Sequence, residues 1–439
     1  MKKKIVITLA ALYLSASPHA VLADGTSETL SLERAIQEGS GESPTLKKYG
    51  SAKDQADWGK NLAFSGFLPH VSLLADHDFS AQYETVPVSL GGLTAAVPVV
   101  HPRTSYGAEA NWTIFNGFAN IHNYEASRDL FRASEQEYSR KDFETRKKIE
   151  LAFYNALAAI RFKEVAEENV KTLQENQTQV RNRFDAGRAT RYDVLRVEVQ
   201  MADANIDLER TTDNVVIQRK KLAQAMGLPD DARALDGQLP EPNNAAKVAS
   251  LSKPELTDRQ DLQAAQLRSD AEGNKANAAL GTLAPAFGFK ADYERYDDEN
   301  YPGQAYGGYR NAWAVGVFLR WNILDGGESI AKAKIAQASA AHAQHEYDEQ
   351  VQSLPAEFEL WKRRYVYSTH AFETKVQDLN RSEESFRISQ VSFQQGKNTI
   401  TDVLEAENDL FKSRAGIVQS KLDAEEALIN LELTFGKEI

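Results

Sequence analysis

The sequence predicts a mainly α chain with β-strands, in which one architecture is used twice and several copies of the chain share one membrane barrel. Three observations predict it. The N-terminus reads as an export signal with no later apolar span, the chain repeats itself in register, and two helical patterns are far longer than globular domains hold. The 439 residues carry 51 Lys+Arg against 63 Asp+Glu, a net charge of −12, and no Cys. Without Cys there is no disulfide, thiolate zinc site, Cys nucleophile or lipid-anchored N-terminal Cys. The acidic balance offers no basic stripe to offset phosphate charge, which excludes nucleic acid as a partner.

Lys2, Lys3 and Lys4 precede an apolar stretch, Ile5 to Ala16, that is too short to span a bilayer. Val21-Leu22-Ala23 then supplies a cleavage site, so residues 1–23 are expected to be a secretory signal. Removing its three lysines leaves 48 Lys+Arg against 63 Asp+Glu, a charge of −15. No other stretch approaches the ~18 consecutive apolar residues of a membrane helix. The mature chain is therefore either soluble outside the cytoplasm or a β-barrel.

Trp112-Thr-Ile-Phe-Asn116-Gly117 returns as Trp321-Asn-Ile-Leu-Asp325-Gly326, an offset of 209 (321 − 112). The same offset relates Phe184-Asp-Ala-Gly187 to Phe393-Gln-Gln-Gly396, Asp193-Val194-Leu195 to Asp402-Val403-Leu404, and Glu198 to Glu407. Upstream, Pro69 and Asp76 match Pro285 and Asp292 at 216, so the first copy holds seven more residues (216 − 209) between Asp76 and Trp112, where a loop is expected. A register kept over about 90 residues is the mark of a true repeat. The expected units are 24–228 and 256–439, joined by a Pro-, Asp- and Asn-rich connector at 229–255.

Each copy opens with a helical stretch, at about 43–64 and 256–282, that leads to a Pro. Two strand-like segments separated by a loop follow, then an Asn-Gly or Asp-Gly turn. The long helical pattern comes next, ends at Gly187 or Gly396, and is followed by a return helix. Residues 118–186 hold no Pro, and at 1.5 Å per residue they make roughly 100 Å of helix. Their richness in Glu, Arg, Asn and Gln points to a coiled coil. Pro355 lies inside the second long helix and is expected to kink or interrupt it.

The strands alternate. In 105–114, Tyr106, Ala108, Ala110, Trp112 and Ile114 share a face opposite Ser105, Glu109, Asn111 and Thr113. In 312–323, Trp313, Val315, Val317, Leu319, Trp321 and Ile323 oppose Ala314, Gly316, Arg320 and Asn322. Segments of about ten residues, apolar on one side and polar on the other, are the signature of an outer-membrane barrel. Each segment alone equally describes a sheet half-packed on a soluble core; four of them behind an export signal favour the barrel. Four strands cannot close a pore, and lipid does not tolerate an open edge, so several chains must share the barrel. Three chains would supply twelve strands.

These residues resemble the TolC family of outer-membrane efflux proteins over nearly the whole mature chain, from Leu30-Ser-Leu-Glu-Arg-Ala-Ile36 to Phe435. The most specific segment is Gly396-Lys-Asn-Thr399-Ile-Thr-Asp402-Val-Leu-Glu405, and Gly187 to Leu195 is its first-repeat counterpart. The resemblance implies a homotrimer in the outer membrane, with a 12-stranded β-barrel continuous with a long periplasmic α-helical coiled-coil barrel. It implies an exit duct, closed at its periplasmic end at rest. A periplasmic adaptor and an inner-membrane pump of the ABC or RND class dock there and open it. The cargo is drugs, metals or secreted proteins, and the missing Cys leans toward type I secretion or general-purpose efflux.

At the tips, Gly187 and Gly396 sit where an αL residue follows a helix end. Thr190-x-x-Asp193 and Thr399-x-x-Asp402 read as capping boxes, which accounts for both aspartates without any pore. Glu405 lies one turn beyond Asp402 on the same face, and capping does not explain it. By resemblance, Asp402 and Glu405 match the acidic rings that narrow the periplasmic entrance. The family's Tyr and Arg that close the entrance on the aspartate matching Asp193 are Phe393 and Asn398 here, so Arg188, Arg191 and Lys397 are the expected substitutes. The adaptor is expected to meet Gly187, Arg188, Gly396 and Lys397.

His342 and His345, a helical turn apart, lack a third metal ligand nearby. No Walker loop, Gly-x-Ser-x-Gly or His-Glu-x-x-His is present, so neither an enzyme nor a cofactor is expected. A non-conducting periplasmic coiled-coil adaptor is the rival reading, but it would need one hairpin and a lipoyl-like or small β-barrel domain, not two hairpins with two strand pairs.

Overall fold

A computed structural model describes residues 29–79, 85–98, 104–297 and 309–439. The expected signal, residues 1–23, lies outside the described residues, as do 80–84, 99–103 and 298–308 of the strand-joining loops. Among the described residues no helix is long and apolar enough to cross a membrane.

The chain begins with α1 (Leu32–Glu42), capped by the Ser31 hydroxyl, and α2 (Pro44–Ser65), which has a Pro in its first turn and the Ser43 hydroxyl as its cap. β1 (His70–His77) follows. Next come β2 (Thr85–Leu90) and β3 (Leu93–Pro98), then β4 (Thr104–Asn116). The β2–β3 hairpin turns on Gly91 and Gly92, both at positive φ as a tight primed turn requires. It falls where the repeat register placed the extra residues; its signal, Gly91-Gly92 between two short apolar runs, lay within what was expected to be loop.

The first long hairpin is α3 (Ala119–Asp185), 67 residues, and α4 (Arg191–Ala225), 35 residues. The short α5 (Ala245–Ala249) lies between the copies, before α6 (Gln260–Gly281). β5 (Ala286–Asp297) and β6 (Tyr309–Arg320) lead to α7 (Glu328–Gln394), 67 residues, and α8 (Ile400–Phe435), 36 residues. Trp321 and Ile323, expected to continue the last strand, lie beyond its end. α7 runs through Pro355 without interruption. Leu354 and Phe358 are both buried, so packing holds the helix on either side of the missing N–H.

One antiparallel sheet of order β1-β4-β5-β6 joins the two copies through the β4–β5 pairing. The register puts Leu73, Ala108, Tyr293 and Trp313 in one row across all four strands, and Trp112, Phe289 and Val317 in another. On the other face Ser72, Glu109, Asp292 and Ala314 align. The apolar face is uncovered: Trp313, Val315, Val317 and Leu319 are 72–76% exposed. Among the described residues β1 and β6 each leave an edge with no partner strand. Water would not tolerate such a face, and lipid would not tolerate such edges.

Sheet and helices meet where the end of α6, which runs antiparallel along α3, reaches the start of α3. Gly117, at φ 68°, has the carbonyl oxygen of Gly281 where a Cβ would stand, so only glycine fits. Phe118 follows at φ 65°, a costly conformation for a bulky residue, with its ring 5.1 Å from Phe115.

Buried apolar side chains form three clusters along the helices. The first gathers Leu30, Ile149, Phe153, Leu222, Met226 and Ile429. Another joins Val248 of α5 to Phe358, Tyr365 and Leu431. The third lies at the hairpin tips. Beside the first cluster, Lys147 is buried with its Nζ 2.7 Å from Glu432 and 2.9 Å from Glu150. Burial alone would lower the Lys147 pKa; its bonds to Glu432 and Glu150 outweigh that and hold it above the ordinary value. Burial, with Glu150 and Glu432 nearby, pushes the Glu425 carboxyl up to about 7. Burial also raises Glu432, against the pull of Lys147.

Candidate functional site

Both tips are built alike. The last turn of α3 closes with Gly187 N–H donating to the Phe184 carbonyl (2.9 Å) and Arg188 N–H to the Arg183 carbonyl (2.7 Å). α7 ends the same way, Gly396 to Phe393 and Lys397 to Ser392, both 2.9 Å. These are Schellman closures, with Gly187 at φ 70° and Gly396 at φ 74°.

The return helices start on reciprocal caps. The Thr190 backbone N–H and hydroxyl donate to Asp193 Oδ2 (2.7 and 2.8 Å), and Asp193 N–H donates back to Thr190 Oγ1. Thr399 and Asp402 repeat this with 2.8 Å bonds. The Thr399 hydroxyl and N–H hold the Asp402 carboxyl below the usual carboxylate range. The capping role expected of both aspartates is therefore present. It leaves Asp402 ionised on the surface.

Glu405 takes no part in the cap. It lines an open groove with Asn398, Asp402, Asp409 and Glu384, in which Arg381 is the one cation. Its carboxylate is 3.9 Å from the Arg196 guanidinium on α4, which also donates to the Tyr192 hydroxyl (3.1 Å). Among the described residues, Arg188, Arg191 and Lys397 form no ion pair with Asp193 or Asp402 inside the chain.

Phe393 is buried, with Val180, Val194, Val197, Ile400, Val403 and Leu404, residues of both hairpins. The Arg183 guanidinium lies 4.1 Å from the centre of its ring and donates to the Phe393 carbonyl (2.8 Å) and the Gln394 carbonyl (3.0 Å). Sequence reasoning missed Arg183. A basic residue in a last helical turn is a recognisable signal, but it points to that helix's own carbonyls, not to those of a helix 210 residues away.

Glu407 was noted only as a repeat match. It sits in the Ile400–Val403–Leu404–Leu410 stripe, buried against α3. Its Oε2 accepts from Asn176 (2.7 Å), and its Oε1 is buried with no hydrogen-bond partner among the described residues. Burial pushes its carboxyl up to about 7; the Asn176 bond opposes this and Glu175 adds to it. A Glu in an apolar helical stripe was the signal that could have found it. His342 and His345 are exposed, and no cluster of three metal-binding side chains is gathered among the described residues.

A family model described as outer membrane efflux protein matches residues 35–228 and 251–437. The outer membrane efflux protein BepC of Brucella suis is 24% identical over 349 residues, spanning 75% of this chain and 73% of that one. Nodulation protein T of Rhizobium leguminosarum is 23% identical over 258 residues, spanning 58% of this chain and 52% of that protein. The solved structure of the outer membrane protein VceC of Vibrio cholerae superposes with a TM-score of 0.76 at 16% identity, covering 93% of this chain and 96% of that one.

Proposed function

The chain belongs to the outer membrane efflux protein family, the exit ducts of efflux systems, and from that premise we propose how it assembles and gates. It works as a homotrimer whose three four-stranded sheets close one 12-stranded barrel in outer-membrane lipid, with the long hairpins extending into the periplasm. Repeat 1 is 24–228, the connector 229–255 and repeat 2 256–439. The observation that carries this is the sheet itself: an uncovered apolar face, a polar opposite face and two unpaired edges. In mild detergent the mature protein should be a trimer by light scattering. A monomer or dimer there would refute the shared barrel.

The periplasmic adaptor engages the tips at Gly187, Arg188, Gly396 and Lys397, and an inner-membrane ABC or RND pump delivers cargo through it. Threefold symmetry turns Asp402 and Glu405 into six carboxylates around a narrow entrance, which favours cations and gives multivalent cations a blocking site. The entrance is held shut between neighbouring tips by Arg191 and Lys397 against Asp193, with Asn398 beside them and Phe393 as an apolar latch. Supporting this is the lack of any such ion pair among the described residues of one chain, which leaves these groups available to a neighbouring subunit. In bilayer recordings, Glu405→Ala should lose cation preference and relieve multivalent-cation block about tenfold, while Arg191→Ala with Lys397→Ala should raise conductance. Unchanged selectivity in Glu405→Ala would remove the acidic ring from the pore.

A further inference from the structure

We infer that Arg183 is a positioning residue that locks the two hairpin tips of one subunit together, so that they move as a single unit. This rests on the reading of the tips as the duct's entrance. Three contacts carry it. From the last turn of α3 the guanidinium crosses to the second repeat and donates to the carbonyls of Phe393 and Gln394, at 2.8 and 3.0 Å. It also stacks over the Phe393 ring at 4.1 Å.

Those carbonyls belong to the last turn of α7, where the helix has run out of N–H donors and its dipole is negative. A guanidinium answers both needs at once: its Nη2 amino group donates to both carbonyls while the planar face covers an aromatic ring. The Phe393 carbonyl already accepts from Gly396 N–H in the closure that shapes the second tip. Arg183 therefore bonds to the atom on which that turn is built. Its own carbonyl accepts from Arg188 N–H in the closure of the first tip. One residue is thus shared by the two turns.

The device is not returned by the other repeat. The register that pairs Phe184 with Phe393 pairs Arg183 with Ser392, too short to reach across. At the tips this contact therefore has no counterpart reaching from the second hairpin onto the first. Arg188, Arg191 and Lys397 make no such contact within the chain, so the bond inside the subunit and the bonds between subunits use different cations.

The test exploits the absence of Cys. Spin labels on Asp185→Cys and Gln395→Cys, both exposed beside the tip glycines, in trimers diluted with unlabelled chains, report the distance between the two tips of one subunit. Arg183→Met keeps the apolar stem and removes the donors. The tip–tip distance distribution should broaden, and the open fraction in bilayers should rise roughly ten- to a hundredfold, the scale of charge-assisted bonds. Arg183→Lys, a point charge without the planar face that covers the Phe393 ring, should fall between. Phe393→Leu, which keeps the carbonyls and removes the ring, should broaden the distances less than Arg183→Met. If Arg183→Met does not assemble, Arg183→Lys alone decides by the same distances. Tip distances identical to those of the labelled protein that keeps Arg183 would overturn the inference and leave Arg183 a helix cap. The label distances require no conduction, so a chain that forms no pore would sink the duct reading without deciding this one.

Discussion

Lys147→Met is expected to cost about 3–5 kcal/mol at pH 8, the scale of a buried ion pair broken from one side. The side chain keeps its volume, so packing contributes little, about 1 kcal/mol. The remainder comes from Glu432 and Glu150, which lose the ammonium 2.7 and 2.9 Å away, beside Glu425. Glu425 titrates near 7 and burial also raises Glu432, so both take up protons as the pH falls. Lys147 itself is raised and stays charged throughout. The penalty should therefore shrink toward the packing term at pH 5. Thermal unfolding in detergent, followed by circular dichroism at both pH values, measures it. An equal loss at pH 5 and pH 8 would show that charge is not what the site supplies.

Glu407→Gln should do the opposite and stabilise the protein at pH 8 by up to about 3 kcal/mol. In the folded state the carboxyl titrates near 7, against an ordinary value of 4.5, because burial penalises its charge. The folded chain therefore holds a proton that the unfolded chain has released between those values, and stability falls as pH rises from about 4.5 to about 7. Glutamine keeps an acceptor for Asn176 and never ionises. The unsubstituted protein should lose stability across that window, and the variant should lose less. A variant no more stable at pH 8 would mean that the unpartnered Oε1 is not a liability in the assembled protein.

What the sequence disclosed and what it hid divide by range. The two 67-residue helices, the glycine turns and both Thr–Asp caps were legible because each is written in residues within one or two helical turns of one another. Strand alternation was legible for the same reason, although it overran the end of β6 at Trp321. The β2–β3 hairpin was hidden inside an expected loop, and α1 inside a segment noted only for its resemblance. Pro355 was expected to kink or interrupt its helix, and it does not interrupt it; local propensity could not foresee that Leu354 and Phe358 would anchor the turn on both sides. At the candidate site, Gly187, Gly396 and the capping aspartates were found. Arg183, Arg196 and the Asn176–Glu407 pair were not, because each acts across the repeats on a partner more than 200 residues away.

The matched lengths of the arms carry a consequence for descent. α3 and α7 have 67 residues each, α4 and α8 have 35 and 36, and residues of both hairpins share the cluster around Phe393. Adding seven residues to one arm would lift its tip roughly 10 Å past the other. Phe393 would leave its pocket and Arg183 would lose its acceptors. A lineage can thus lengthen or shorten its reach across the periplasm only by changing both halves of the gene in step. Insertions and deletions in the arms of relatives should come in pairs about 209 codons apart, and an unpaired one should be as rare as a broken reading frame.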